Sequence, residues 1–192
     1  MSEGARRLHL VRHGETERSA RHGYSGQADI PLTETGREQA RRAAEHLSKA
    51  GIDGIVSSPL VRASDTAGAI AEVTGAPLEI DERLIELDYG PLEGLDREKG
   101  KEQFGAAFTA WREDPFGSPI EGMETLDDAL ERARAATADA LAAYEHPVLV
   151  AHQGILRCVL VALGQVEPDD YFSVRLTEAE PVEVESPEVV SR

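Results

Sequence analysis

Leu8-His9-Leu10-Val11-Arg12-His13-Gly14, near the start of the chain, and Val148-Leu149-Val150-Ala151-His152-Gln153-Gly154, near its end, share one form. Each is a short apolar run that ends at a histidine, with a glycine opening the segment that follows. Runs of this length, bounded by turn residues, read as buried strands. In open α/β sheets ligands bind beyond the carboxyl ends of the strands, where loops and helix N-termini converge. Two such strands lying side by side bring His13 and His152 to one cleft. The first backbone N–H groups of a helix after Gly154 would favour an anion there.

Arginines fall at the same places. Arg12 precedes His13, and Arg62 follows a third apolar stretch, Ile52 to Ser57. The planar fork of a guanidinium suits bidentate capture of phosphate or carboxylate. Two arginines, two histidines and helix-end amides form an oxyanion site that needs no metal. No His-x-x-x-His pair on a predicted helix supports zinc, and the flanking arginines would repel a cation. His9, His22, His46 and His146 lack supporting neighbours and read as structural.

Working outward, strands alternate with helical periodicity, which predicts an α/β fold. Thr35-x-x-Glu38 forms a capping box, with Thr33 a rival cap, before a helix whose Ala40, Ala43, Ala44 and Leu47 share a face and which stops at Gly51. Ser58-Pro59 pairs an N-cap residue with proline at the first helical position. Leu60, Ala63, Ala67 and Ile70 then make the inner stripe. Pro77 to Ile80 reads as a short strand. Residues 88–122 are rich in Gly and Pro, with one helix around Phe104 to Arg112, and read as an excursion over the active site. Thr125-x-x-Asp128 opens a further helix, and Ile155 to Leu163 another. Tyr171 to Leu176 and Pro181 to Val184 are predicted edge strands before an acidic, mobile tail beginning near 178, whose Glu178, Glu180, Glu183, Glu185 and Glu188 are assigned to solubility. The whole of 1–192 reads as a single domain.

Composition narrows the function classes. Twenty Lys+Arg against 36 Asp+Glu give a formal charge of −16. That excludes a duplex nucleic-acid partner, which needs a basic face, and disfavours an anionic membrane surface. With Cys158 the only cysteine, neither an intramolecular disulfide framework nor a Cys-rich zinc site is available. No apolar run has the roughly 18 residues of a membrane span, so a cytoplasmic protein is expected.

Leu10-Val11-Arg12-His13-Gly14-Glu15-Thr16 resembles the signature of the histidine phosphatase superfamily, the phosphoglycerate mutase-like family. The likeness continues through Gly26 to Thr33, through Ser57-Ser58-Pro59-Leu60-Val61-Arg62-Ala63, through Arg83 to Gly90, through Gly122 to Thr125, and through His152 to Arg157. The resemblance implies a three-layer α/β/α sandwich with a mostly parallel central sheet. It also implies a metal-independent, cofactor-free phosphatase that hydrolyses a small phosphorylated metabolite through a phosphohistidine. His13 matches the nucleophile. Arg12, Arg62 and His152 match the groups that neutralise the transferring phosphoryl unit. Glu86 matches the acid/base, a double duty that calls for a raised carboxyl pKa. Ser25 and Gly26 match a loop lining the substrate phosphate.

Three positions depart from the family pattern. Ser19 stands where many members have a phosphate-contacting asparagine, Gly23 where many have arginine, and Gln153 where glycine is usual. Ser19 and Gln153 are expected beside the substrate. A phosphoglycerate mutase is the alternative activity, although the segment between Glu86 and Gly122 is short for one. A non-catalytic binding module is the third reading. A homodimer is compatible with the sequence.

Overall fold

The computed structural model describes residues 7–185. Five strands form one sheet: β1 (Arg7–Arg12), β2 (Gly54–Ser57), β3 (Leu78–Ile80), β4 (Pro147–Ala151) and β5 (Val182–Glu185). Their order is β3-β2-β4-β1-β5. All neighbours are parallel except β5, which runs antiparallel to β1. Five helices accompany them: α1 (Glu34–Leu47), α2 (Val61–Thr74), α3 (Arg97–Glu113), α4 (Leu126–Ala143) and α5 (Gln153–Ala162).

The period-2 alternation of strand side chains separates two cores. Val11, Ile55, Val148 and Val150 face α1 and α2, packing against Ala44, Leu47, Ala63, Ala67 and Ile70. Leu8, Leu10, Val56, Leu149 and Ala151 face the other way, against Ala129 and Ala133 of α4 and Ile155 and Val159 of α5. Three layers result, as the sequence resemblance implies. Phe108 and Trp111 of α3 join the second core, so residues 88–122 add to that face. The helix α3 is longer than the predicted segment and is kinked at Gly105, whose φ is +51°.

The chain lays down β1, β2 and β3 with α1 and α2 on one face. It then crosses to the other face through α4 and inserts β4 between β1 and β2. That reversal opens a crevice at the carboxyl ends of β1 and β4, where α/β folds place ligands.

Several local expectations are corrected. Thr33, not Thr35, caps α1, its hydroxyl accepting from Gly36 N at 3.0 Å while also donating to Glu15 Oε1 at 2.8 Å. Helix α2 starts at Val61 and its N-cap Leu60 has no side-chain bond; the Ser58 hydroxyl accepts from Leu60 N at 3.3 Å and also meets His152 Nε2 at 2.7 Å. Residues 171–176 make no strand. Their backbone is held by side chains: Arg157 and Gln153 donate to Val174 O, and Gln153 Oε1 accepts from Leu176 N. Much of the acidic tail is built into the structure, with Glu183 on β5 lying 3.4 Å from His9 Nε2 and Glu178 paired to Arg12. Glu188 lies outside the described residues. Among the described residues no helix is long and apolar enough to cross a membrane.

Replacing Thr33 by Ala removes the cap and should cost about 1 kcal/mol of stability. Thr35 is exposed inside the helix, and Thr35→Ala should be neutral or slightly stabilising. Urea denaturation of the two variants checks the assignment, which fails if the order of stabilities is reversed.

Candidate active site

Backbone pairing sets the two histidines face to face. Arg12 is in register with Ala151, and His13 N donates to Ala151 O at 2.9 Å. The next residue on each strand is therefore His13 and His152, whose ring centroids lie 5.1 Å apart. Ser58 N donates to Val150 O at 3.0 Å, which adds the end of β2 to the cluster. The glycine after His13 is a steric requirement, since a Cβ on Gly14 would fall 2.4 Å from Gly36 O.

Arg62, on the first turn of α2, is completely buried between the rings. Its Nε–H points at both His13 Nε2 (3.3 Å) and His152 Nδ1 (3.2 Å). Its Nη1 donates to Ala28 O at 2.7 Å and its Nη2 to Gly26 O at 2.8 Å. These contacts assign the tautomers. His13 Nδ1 faces the carbonyl of Gly14 at 2.7 Å and must carry the proton, which leaves the Nε2 lone pair toward Arg62. His152 accepts at Nδ1, so its Nε2–H donates to Ser58 Oγ at 2.7 Å. Burial pushes both imidazoles well below their ordinary value, reinforced for His13 by Arg62 and Arg12, and for His152 by His13 and Arg62. Both rings are neutral near pH 7.

Glu86 follows a short helical turn at Glu82–Leu84 and is buried. Its Oε1 accepts from Leu87 N (2.9 Å) and Ile155 N (3.0 Å), and its Oε2 from Gly154 N (3.0 Å). The carboxylate thus takes up N–H groups of α5 that the cap residue His152 leaves without a side-chain partner. Only glycine fits at 154: a Cβ there would lie 2.5 Å from Glu86 Oε1 and 2.6 Å from the Tyr89 hydroxyl.

Arg12 is held differently. Its Nη1 donates to Leu176 O and its Nη2 to Glu178 Oε1, each at 3.1 Å. Its Nε is buried and has no partner among the described residues.

The remaining candidates sit less simply. Ser25 is half-buried and Gly26 is buried, but the Gly26 carbonyl is turned to Arg62. The loop is further tied down by Gln27 Nε2, which donates to Glu86 O at 3.2 Å, and by Asp29, which accepts from Val61 N at 2.8 Å. The Ser19 hydroxyl is committed locally, donating to Thr16 O (3.1 Å) and accepting from Thr16 N (2.9 Å). The Gln153 side chain turns away from His152 toward residues 174–176. Sequence reading missed two partners of site residues. Ser58 has the form of a helix cap, and only its place directly beyond a strand end marks it. Glu178 is one acid among many, with no local signal. Among the described residues no group of three or more His, Cys, Asp or Glu is placed to hold a metal ion.

Comparison with known proteins agrees with this geometry. A sequence model described as histidine phosphatase superfamily (branch 1) matches residues 8–188. A glucosyl-3-phosphoglycerate phosphatase of Mycolicibacterium vanbaalenii is 37% identical over 86% of this chain and 77% of its own length. A probable phosphoglycerate mutase of an Enterobacter species is 36% identical over 80% and 72%. The solved structure of a mycobacterial glucosyl-3-phosphoglycerate phosphatase superposes with a TM-score of 0.83 at 34% identity, covering 93% of this chain and 89% of that one.

The depressed histidines carry a stability signature. Unfolded, His13 and His152 titrate near 6.5, whereas folded they stay neutral to a much lower pH. The unfolded chain therefore binds more protons below 6.5. The stability they confer is complete above that pH and is lost as pH falls toward their folded values. Between pH 6 and 5, His13→Gln should reduce the slope of unfolding free energy against pH by about 1.4 kcal/mol per unit, one proton's worth. An unchanged slope would show that His13 is not held neutral.

Proposed function

The chain belongs to the histidine phosphatase superfamily and is a phosphoric monoester hydrolase; we propose that it works through a phosphohistidine on His13. The observation that carries this reading is the fixed tautomer of His13. With Nδ1–H donated to Gly14 O, the Nε2 lone pair is the only nucleophile the ring offers, and it faces the Arg62 guanidinium. A dianionic phosphoryl group entering between the rings meets a cation whose other protein contacts are neutral carbonyls. Positive charge is thus fixed in place before the substrate arrives.

In the first step His13 Nε2 attacks phosphorus and the bond to the leaving oxygen breaks. Arg62 and Arg12 hold the equatorial oxygens, with His152 keeping Arg62 Nε in place through Nδ1 while its Nε2–H stays on Ser58 Oγ, as is usual where positioning and charge dominate phosphoryl transfer. Glu86 supplies the proton to the departing alkoxide. Its Oε2 accepts one backbone bond only, which leaves room for that proton. In the second step the ionised carboxylate takes a proton from water as the water oxygen attacks phosphorus. Inorganic phosphate leaves and His13 is restored.

The substrate is read as a small phosphorylated metabolite. Likeness to glucosyl-3-phosphoglycerate phosphatases makes phosphorylated sugar acids the first compounds to screen. A mutase is less favoured, because transfer to a second hydroxyl requires water to be kept from the phosphohistidine, and residues 88–122 form a short segment for that task.

His13→Ala should abolish turnover of an aryl phosphate and remove the acid-labile phosphate that acid-quenched parent protein carries. The parent should stay active in EDTA. A His13 variant that still turns over phosphate esters defeats the mechanism. Glu86→Gln should slow alkyl phosphate hydrolysis by about two to four orders of magnitude, and slow a p-nitrophenyl ester far less, since that leaving group needs no proton. Equal losses on both substrates would remove Glu86 from the role of acid.

A further inference from the structure

The two site arginines have opposite electrostatic surroundings. Arg62 is lodged among carbonyls and neutral imidazoles, and Glu86, Asp29 and Glu93 act on it only through space. Arg12 forms a direct ion pair with Glu178 at 3.1 Å, and both side chains are about four-fifths buried. A carboxylate there opposes the binding of a phosphate dianion, so its presence calls for an account.

The account lies in residues 174–179. Gln153 fastens this segment with both ends of its amide, accepting from Leu176 N at 3.1 Å and donating to Val174 O at 3.4 Å. The segment then grips β1: Leu176 O and Glu178 take the two terminal nitrogens of Arg12, and Ala179 N donates to Arg12 O at 2.7 Å. Ala179 holds a left-handed φ of +51° to make that turn, a conformation unfavourable for a residue with a Cβ. Pinned on its outer edge, the guanidinium keeps Nε–H inside, buried and without a partner among the described residues. A buried donor without a partner is costly, and a phosphoryl oxygen would satisfy it.

We propose that Glu178 and Gln153 are positioning residues for phosphoryl transfer: Gln153 seats the 174–179 segment, and Glu178 orients Arg12 while weakening its hold on the phosphate product. This rests on the assignment of Arg12 to the phosphoryl group. The residue directly after His152 thereby sets the group directly before His13. The Glu178 carboxylate also gives a hydrolase a means of releasing inorganic phosphate, which a site with two uncompensated guanidinium groups would retain.

Charge and orientation separate experimentally through kcat and KM for an aryl phosphate and the inhibition constant of inorganic phosphate, with thermal unfolding as a check on folding. E178Q keeps an acceptor for Arg12 Nη2 and loses only the charge. It should bind phosphate about three- to tenfold more tightly and lower KM, with kcat changed little. E178A should bind phosphate more tightly than the parent and lose about tenfold in kcat, the part that glutamine restores. Q153A keeps the charge but releases the segment. Its kcat should fall about tenfold with phosphate binding unchanged or weaker. The proposal is overturned if E178Q and E178A match the parent within twofold, or if all three variants weaken phosphate binding alike, as a general loss of structure would produce. Trapping of acid-labile phosphate in the parent keeps the two readings apart. If it forms while the Glu178 variants are silent, only this inference fails; if it never forms, the phosphohistidine reading fails first.

Discussion

One N–H group, Arg62 Nε, is shared between two imidazole nitrogens, and the geometry of the site follows from that sharing. A guanidinium donates and cannot accept, so both rings must present lone pairs to it. The sharing therefore fixes both tautomers and requires both rings to be neutral. Burial supplies the neutrality by penalising imidazolium. A fully buried cation with no contacting carboxylate is expensive, and the carbonyls of Gly26 and Ala28 reduce that cost without cancelling the charge. The loop that carries them is in turn fastened to Glu86 and to the start of α2. His13, Arg62 and Glu86 are thus connected before any ligand enters.

The acidic body of the protein takes on a different meaning beside this arrangement. A formal charge of −16 gives poor long-range steering for phosphate esters, since exposed charges act only over about a Debye length of 8–10 Å at physiological salt. Inside a desolvated cleft the balance is local. There Arg62 meets carbonyls and imidazoles, Arg12 meets one acid, and Glu86 is spread over three backbone amides. Acid in bulk and cation in the crevice coexist because solvent and salt screen the exposed carboxylates from the buried guanidinium groups.

Much of this was legible in the sequence, and the reason is locality. Two apolar runs ending in His-Gly or His-Gln-Gly, with Arg62 just past a third strand, are short-range patterns, and strand pairing alone brings their ends together. What was not legible depends on long-range placement. Ser58 has the local form of a helix cap, and only the position of β4 reveals that its oxygen serves His152. Glu178 is 166 residues from Arg12 and is indistinguishable in sequence from its acidic neighbours. Residues 171–176 have strand-like composition, yet their backbone bonds to side chains of α5 and β1, because no strand lies alongside them. Thr33 and Thr35 both suit a cap by composition, and the turn back to Glu15 decides between them.

The strand order has a consequence for how the molecule comes into being. The first strand, which leads into His13, has hydrogen-bonding neighbours only in β4 and β5, both drawn from residues 147–185. During synthesis it therefore waits, with Leu8, Leu10 and Val11 unsheltered, until nearly all of the described chain has been made. Pairings over such separations are slow to close, and the exposed apolar surface is prone to aggregate meanwhile. His13 thus precedes by more than a hundred residues the strand that brings it beside His152, and the two meet only once β4 has been made.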